Sequence, residues 1–158
     1  MMISRFLLFG IFMVLSGLLF AQKEEETTQI KKIWDRGKHN AFTDITYSKN
    51  NLYIVFREGD GHIPNKDNTG NGKIRVLTSL DGEFWESVAL IEVNGVDLRD
   101  PKITVTPKRR LMVLMGGSVY EDGELKSISS YVSISDPNGK KFSEPQQILV
   151  DEQVKSEF

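Results

Sequence analysis

Arg75-Val76-Leu77-Thr78-Ser79-Leu80-Asp81-Gly82-Glu83-Phe84-Trp85-Glu86-Ser87-Val88-Ala89-Leu90 reads as an extended run, a tight turn and a second extended run. Ile74, Val76 and Leu77 before the turn and Val88, Leu90 and Ile91 after it are the β-branched and apolar residues that suit a pleated, half-buried surface. Asp81-Gly82 between them is a strong short hairpin signal. Ser79, Asp81, Gly82 and Trp85 add a more specific device. The carboxylate can accept backbone N–H groups of the turn, the glycine permits positive φ, and the aromatic ring fills the gap beneath the hairpin. Such a device fastens a turn and does no chemistry.

Outward from this hairpin the chain repeats a plan. Strands are predicted over 41–48, 52–57, 73–79 and 85–93, with a turn at Lys49-Asn50-Asn51 and a Gly- and Asn-rich loop over 58–72. The plan begins again with strands over 102–106, 111–115, 127–135 and 142–150, a turn at Pro107-Lys108-Arg109-Arg110, a loop over 116–125 and a turn over 136–141. Ser79 through Ser87 corresponds to Ser133 through Ser143, and Trp85 matches Phe142 at a spacing of 57. A four-strand unit returning about every 50 residues is the mark of propeller blades. The apolar second strands fit inner strands covered on both faces. No amphipathic helix is legible after residue 21, so the fold class is all-β.

The 158 residues suffice for one domain with a real core. Residues 1–21 read as a secretory signal peptide: Arg5, an apolar run from Phe6 to Phe20, then Ala21 ahead of Gln22-Lys23-Glu24-Glu25-Glu26. Fifteen apolar residues are short for a bilayer span, so no stable membrane anchor is expected. Residues 22–40 read as a flexible segment with a lone strand around Ile30, Ile33 and Trp34, residues 41–93 and 98–150 as two blades, and 151–158 as a truncated tail. The formal charge of −2 becomes −3 once Arg5 is removed, which gives no electrostatic reason for a nucleic-acid partner. With no cysteine, neither disulfides nor thiolate metal sites are available, and stability must come from packing.

Four stretches together resemble the amino-terminal part of the sialidase-like (exo-alpha-sialidase, Asp-box repeat) β-propeller superfamily. They are His39-Asn40-Ala41-Phe42-Thr43-Asp44, Val55-Phe56-Arg57-Glu58-Gly59 with His62, the Ser79–Trp85 turn, and Asp97-Leu98-Arg99-Asp100-Pro101-Lys102-Ile103. The turn is similar to the Asp-box pattern, one residue shorter and without its Thr. The resemblance covers roughly residues 33–150 and implies two four-stranded antiparallel blades of a six-bladed propeller, an incomplete ring whose remaining blades would be a partner. A closed ring needs at least about four blades. It also implies an exported, secreted or periplasmic glycoside hydrolase acting on sialic acid-type glycans, inactive as two blades. The alternatives are a five-bladed furanosidase or mannoside phosphorylase-like glycosidase, or a non-catalytic propeller that binds glycan or protein.

Blade topology sorts the polar residues. The entrance to each first strand and the loop joining second to third lie on one rim, which gathers His39, Asn40, Asp44, Arg57, Glu58, Asp60, His62, Arg75, Arg99 and Asp100. Asp81, Asp136 and Arg109-Arg110 belong to the other rim. Glycan-processing propellers use the former. A sialidase needs guanidinium forks for the substrate carboxylate and an acid for the leaving oxygen. The resemblance makes Arg57, Arg75 and Arg99 candidate forks, with Glu58, His62 and His39 beside them, and Asp44 and Asp100 candidate acids. Its usual Arg-Ile-Pro opening is absent, and no Tyr nucleophile with its Glu is placed. Arg57 could equally form a surface ion pair with Glu58 or Asp60. Asp100, ahead of Pro101, could equally be a turn residue, and Asp44 at the matching place in the first repeat could be part of the blade's construction. Ser79, Asp81, Gly82 and Trp85 are structural.

No cofactor and no metal are expected. Asn65, Asp67, Thr69 and Gly70 imitate the start of a calcium loop, but Val76 stands where the twelfth-position Glu is required. His39 and His62 are the only histidines and lack a third nitrogen ligand. Trp34 and Trp85 read as core.

Overall fold

β-branched and apolar runs separated by turn residues produce strands throughout. The computed structural model describes residues 28–65 and 71–149. They contain no helix and eight strands: β1 (His39–Ser48), β2 (Asn51–Gly59), β3 (Lys73–Ser79), β4 (Glu86–Ile91), β5 (Asp97–Val105), β6 (Leu111–Glu121), β7 (Glu124–Ile134) and β8 (Gln146–Gln147). These build two four-stranded antiparallel sheets in chain order, β1-β2-β3-β4 and β5-β6-β7-β8, as the repeat predicts. The signal peptide expected over 1–21 and the tail expected over 151–158 lie outside the described residues. Thr28–Lys31, the described part of the unit ending at Lys31, carries no regular structure and is exposed; Lys32 onward forms the second unit.

Three segments differ from the sequence reading. The lone strand around Ile30–Trp34 does not form: residues 28–36 carry no regular structure, and Trp34 lies against Phe56 with ring centroids 6.2 Å apart. The loop over 116–125 is instead the long β6–β7 hairpin, closed by Asp122 (φ 53) and Gly123 (φ 79) between the paired residues Glu121 and Glu124. Positive φ at both central residues is the geometry that Asp-Gly favours in a two-residue turn, so a second hairpin signal stood in the sequence unread. The strand over 142–150 shrinks to Gln146–Gln147 plus a bridge from Phe142 to Ser135, because Pro145 has no N–H for a ladder.

The repeat is closer in structure than in sequence, and its alignment changes. β1 carries one extra residue between Ala41 and Asp44, and β5 one between Arg99 and Lys102. Phe42 (φ 59) and Asp100 (φ 50) hold the same left-handed place in these two bulges. Asp100 therefore corresponds to Phe42, while Asp44 corresponds to Lys102, not to Asp100. At the other rim Ser79 pairs with Leu52, and Ser135 exchanges hydrogen bonds with Leu111, so the partner of Ser79 is Ser135 rather than Ser133.

Both turns that follow are organised by a carboxylate. Asp81 accepts the N–H groups of Glu83 at 2.8 Å and Phe84 at 3.0 Å, Ser79 Oγ accepts that of Gly82, and the Trp85 indole donates to the Gly82 carbonyl. Asp136 takes the N–H groups of Lys140 and Lys141 in the same way. The backbone donors, Phe84 first for Asp81 and Lys140 first for Asp136, hold both carboxyls below their ordinary range.

The core lies between the sheets, where β5 packs across β1, β2 and β3. Val55, Ile74, Val76, Leu98 and Val113 are fully buried there, joined by Tyr53, Ile103, Leu111 and Met115. Each such side chain contributes about 1.5–3 kcal/mol on burial. Polar ties fix the register of one sheet on the other. Lys49 Nζ donates to the Pro137 carbonyl at one rim, and Gly139 (φ 72) leaves room for the Tyr53 hydroxyl. In the middle, the Asp44 carboxylate accepts the Ile103 N–H at 2.9 Å. Asp44→Ala is expected to lower stability by about 2 kcal/mol in urea unfolding, with Asp44→Asn recovering most of the loss because its amide oxygen can accept the same N–H.

Candidate functional site

The start of β1, the end of β2 and the start of β5 meet at one rim, and two separate polar clusters form there. The first is built on Arg57. Its place on β2 turns the side chain toward the second sheet, where both it and Asp97 are 0% exposed. Arg57 Nη2 donates to Asp97 Oδ1 at 2.7 Å, and Nη1 donates to the Gly61 carbonyl at 2.7 Å and lies 3.3 Å from His39 Nδ1. Arginine has no acceptor, so this contact places the lone pair of His39 on Nδ1. Asp97 Oδ1 also accepts the Gly72 N–H, and Oδ2 takes both Nε and Nη2 of Arg99. Arg57 Nε has no hydrogen-bond partner among the described residues, and any side chain at Gly72 would collide with that nitrogen.

Burial by itself pushes the Asp97 carboxyl up. Arg99, Arg57 and the Gly72 amide more than offset it, and the group sits below its ordinary 3.8. Arg99 is held charged: burial disfavours its cation, and the Asp97 carboxylate outweighs that. Its side chain is 20% exposed, its Nη2 also reaches the His62 carbonyl at 3.5 Å, and Nη1 has no partner among the described residues. The rings of His39 and His62 meet edge to face at 5.8 Å, with Phe42 5.9 Å from His62. Asp100 is exposed at its bulge, and Pro101 behind it is fully buried.

The second cluster lies on the opposite face of β2, since successive residues of a strand point to opposite sides. Arg75 grips Glu58 with two hydrogen bonds at 2.8 and 3.0 Å, and the Trp34 indole donates to the same carboxylate at 2.9 Å. Arg75 and Arg36 lie 5.0 and 4.9 Å from the Trp34 ring centroid. Arg75 chiefly holds the Glu58 carboxyl below its ordinary 4.5.

Of the sequence-predicted residues, the rim thus brings together His39, Arg57, His62, Arg99 and Asp100. It sets Glu58 and Arg75 apart in the second cluster, and Asp44 is spent on the Ile103 amide. Arg57 has no exposed surface to offer as a fork; its place is beneath Arg99. Arg57 also pairs with Asp97 rather than with Glu58 or Asp60. The residue that sequence reasoning missed is Asp97. Its signal was present: it stands two residues before Arg99 in a strand, and therefore on the same side. Asp67, Thr69 and Gly70 of the calcium-like loop lie outside the described residues; among the described ones no cluster of three ligating side chains forms.

With this geometry in hand, comparison places the chain by fold. A protein of unknown function from Dyadobacter fermentans superposes with a TM-score of 0.51 at 20% identity, over 68% of this chain and 36% of that one. A candidate glycoside hydrolase from Parabacteroides distasonis gives 0.46 at 16% identity, over 66% of this chain and 31% of the other. The chain therefore spans about a third of the length of each. No family model matches it, and no curated protein does.

The lowered Asp97 carboxyl sets a pH dependence. A depressed carboxyl contributes stability fully above its ordinary 3.8, and that contribution is lost as pH falls through the lower folded value. Glu58, Asp81 and Asp136, all lowered, act with the same sign. The urea midpoint is expected to fall steeply below about pH 4. Asp97→Asn, which cannot titrate, is expected to show a shallower acid limb and a lower midpoint at pH 7. Asp97→Ala, which strands the buried Arg57 cation, is expected to cost about 3–5 kcal/mol.

Proposed function

We propose that this chain carries the inner-strand rim of an exported, sialidase-like glycoside hydrolase site whose ligand is a sialic acid-type glycan. The observation that carries the reading is the setting of Arg99: its guanidinium is oriented by a buried carboxylate through Nε and Nη2, while its side chain reaches the surface. A fork fixed in this way presents its donors to a ligand carboxylate without first losing rotamer freedom. Asp100 stands next to it, exposed, on a backbone fixed by the bulge and by buried Pro101. In the proposed reaction its carboxylic acid donates a proton to the glycosidic oxygen as the bond from that oxygen to the anomeric carbon breaks, and a water molecule then bonds to that carbon and returns a proton to the carboxylate. His39 and His62 line the approach to this pair, and Arg57 acts through Asp97 as a positioning residue. Buried Pro101 behind an outward Asp100 equally fits the five-bladed furanosidase pattern, in which that carboxylate faces the funnel. The whole ring and its turnover are part of the proposal.

N-acetylneuraminic acid titrated into the purified chain is expected to bind, and a neutral hexose at the same concentrations is not. Arg99→Ala should weaken the acid sugar by about tenfold or more, the loss expected for charge-assisted hydrogen bonds. Calorimetry that finds the acid and the neutral sugar bound alike, or the acid bound unchanged by Arg99→Ala, rules the reading out. Preference for an arabinofuranoside, lost in Asp100→Asn, supports the furanosidase pattern instead.

A further inference from the structure

The same rim holds a second concavity that no part of the inner site uses. It is a groove of about 720 Å³ across the strand ends of the first sheet, bordered by the approach to β1, the end of β2, the start of β3 and the β4–β5 connection. That volume lies within the range of small-molecule sites. Its lining is polar, with Val93 its one apolar side chain. Arg36, Lys38 and Lys73 are matched by Glu58, Asp60 and Glu92, three of each sign. Five of these six charges are already paired: Lys38 with Asp60 at 3.3 Å, Lys73 with Glu92, and Glu58 with Arg75 from outside the groove, while Arg36 lies over the Trp34 ring. With its charges balanced and all but Arg36 paired, such a lining offers a charged ligand little. A neutral molecule rich in hydroxyls gains hydrogen bonds from paired side chains that keep spare donors and acceptors, from the amides of Asn71 and Asn94, and from backbone bared at Gly59 and Gly95.

The groove and the Arg99 cluster are built from neighbouring residues of the same segments. Lys38 lines the groove and His39 the cluster; Asp60 lines the groove, while Gly61 and His62 belong to the cluster. Gly59 separates the two, and a side chain there would meet the Arg57 guanidinium at 3.1–3.3 Å. We propose that the groove is a subsite for neutral sugar residues of an oligosaccharide whose acidic sugar is held at Arg99, an assignment that rests on the glycan reading above. The acidic residue is then read by charge and the neutral ones by hydroxyl count and shape, with no charge cost on the outer side of the rim.

Asn94 is exposed on the β4–β5 connection, so Asn94→Trp fills the groove without touching the core. Calorimetric titration of the full chain with N-acetylneuraminic acid and with the trisaccharide sialyllactose separates the two sites. The trisaccharide is expected to bind about tenfold or more tightly than the monosaccharide. In Asn94→Trp that advantage is expected to vanish while monosaccharide binding is unchanged. A monosaccharide that binds with no trisaccharide advantage, or an advantage that survives Asn94→Trp, overturns the subsite and leaves the inner site standing. A monosaccharide that does not bind overturns the inner-site reading, and the subsite with it.

Discussion

A buried ion pair between the two sheets, Arg57 with Asp97, is the constraint on which the rim depends. Each partner is fully enclosed, and an isolated charge in that setting is costly. The arrangement is tolerable because nearly every polar atom is used. Asp97 gathers two guanidinium groups and one backbone amide, and Arg57 adds a carbonyl and a ring nitrogen. The pair joins residues 40 apart in sequence, one at the end of β2 and one at the start of β5. It also fastens both ends of the intervening loop, through the Gly61 carbonyl and the Gly72 amide. The loop base, the mutual position of the sheets and the aim of Arg99 are therefore one problem with one solution.

The apolar core would tolerate small slides of one sheet over the other, since burial is non-directional. Hydrogen bonds are directional and remove that freedom. Asp44 to the Ile103 amide, Lys49 to the Pro137 carbonyl and Gly72 to Leu98, whose N–H donates to the Gly72 carbonyl at 2.9 Å, pin the sheets at the middle, one rim and the other. This explains why a carboxylate suited by position to chemistry is spent on structure. Asp44 lies beside the β5 bulge, where a ladder is locally interrupted and a backbone donor needs an acceptor from outside its own sheet.

The paired bulges show how one scaffold position serves two ends. In the first repeat the left-handed residue is Phe42, whose ring lies near His62; in the second it is Asp100, whose carboxylate is exposed. Non-glycine residues at positive φ are uncommon, with Asp more tolerant of it than Phe. The bulge re-aims the side chain at the rim and lets the repeats differ there while the strands behind them remain alike.

By itself the sequence determined the strand content, the two-sheet repeat and the carboxylate-centred turns. Those follow from period-two patterning and from turn residues acting over a few positions, so they are legible locally. Even the β6–β7 hairpin was written in Asp122-Gly123. Residue numbering, in contrast, could not align the repeats, because turns and loops of unequal length change the offset from one strand pair to the next, and only the hydrogen-bond ladder reveals where it changes. Nor could it separate Arg57 and Arg99 from Arg75, or find Asp97 as the carboxylate between them. Which guanidinium is buried, which is gripped by Glu58 and which reaches the surface depends on the packing of β5 against β1, β2 and β3, an arrangement of segments distant in the chain that only the tertiary structure decided.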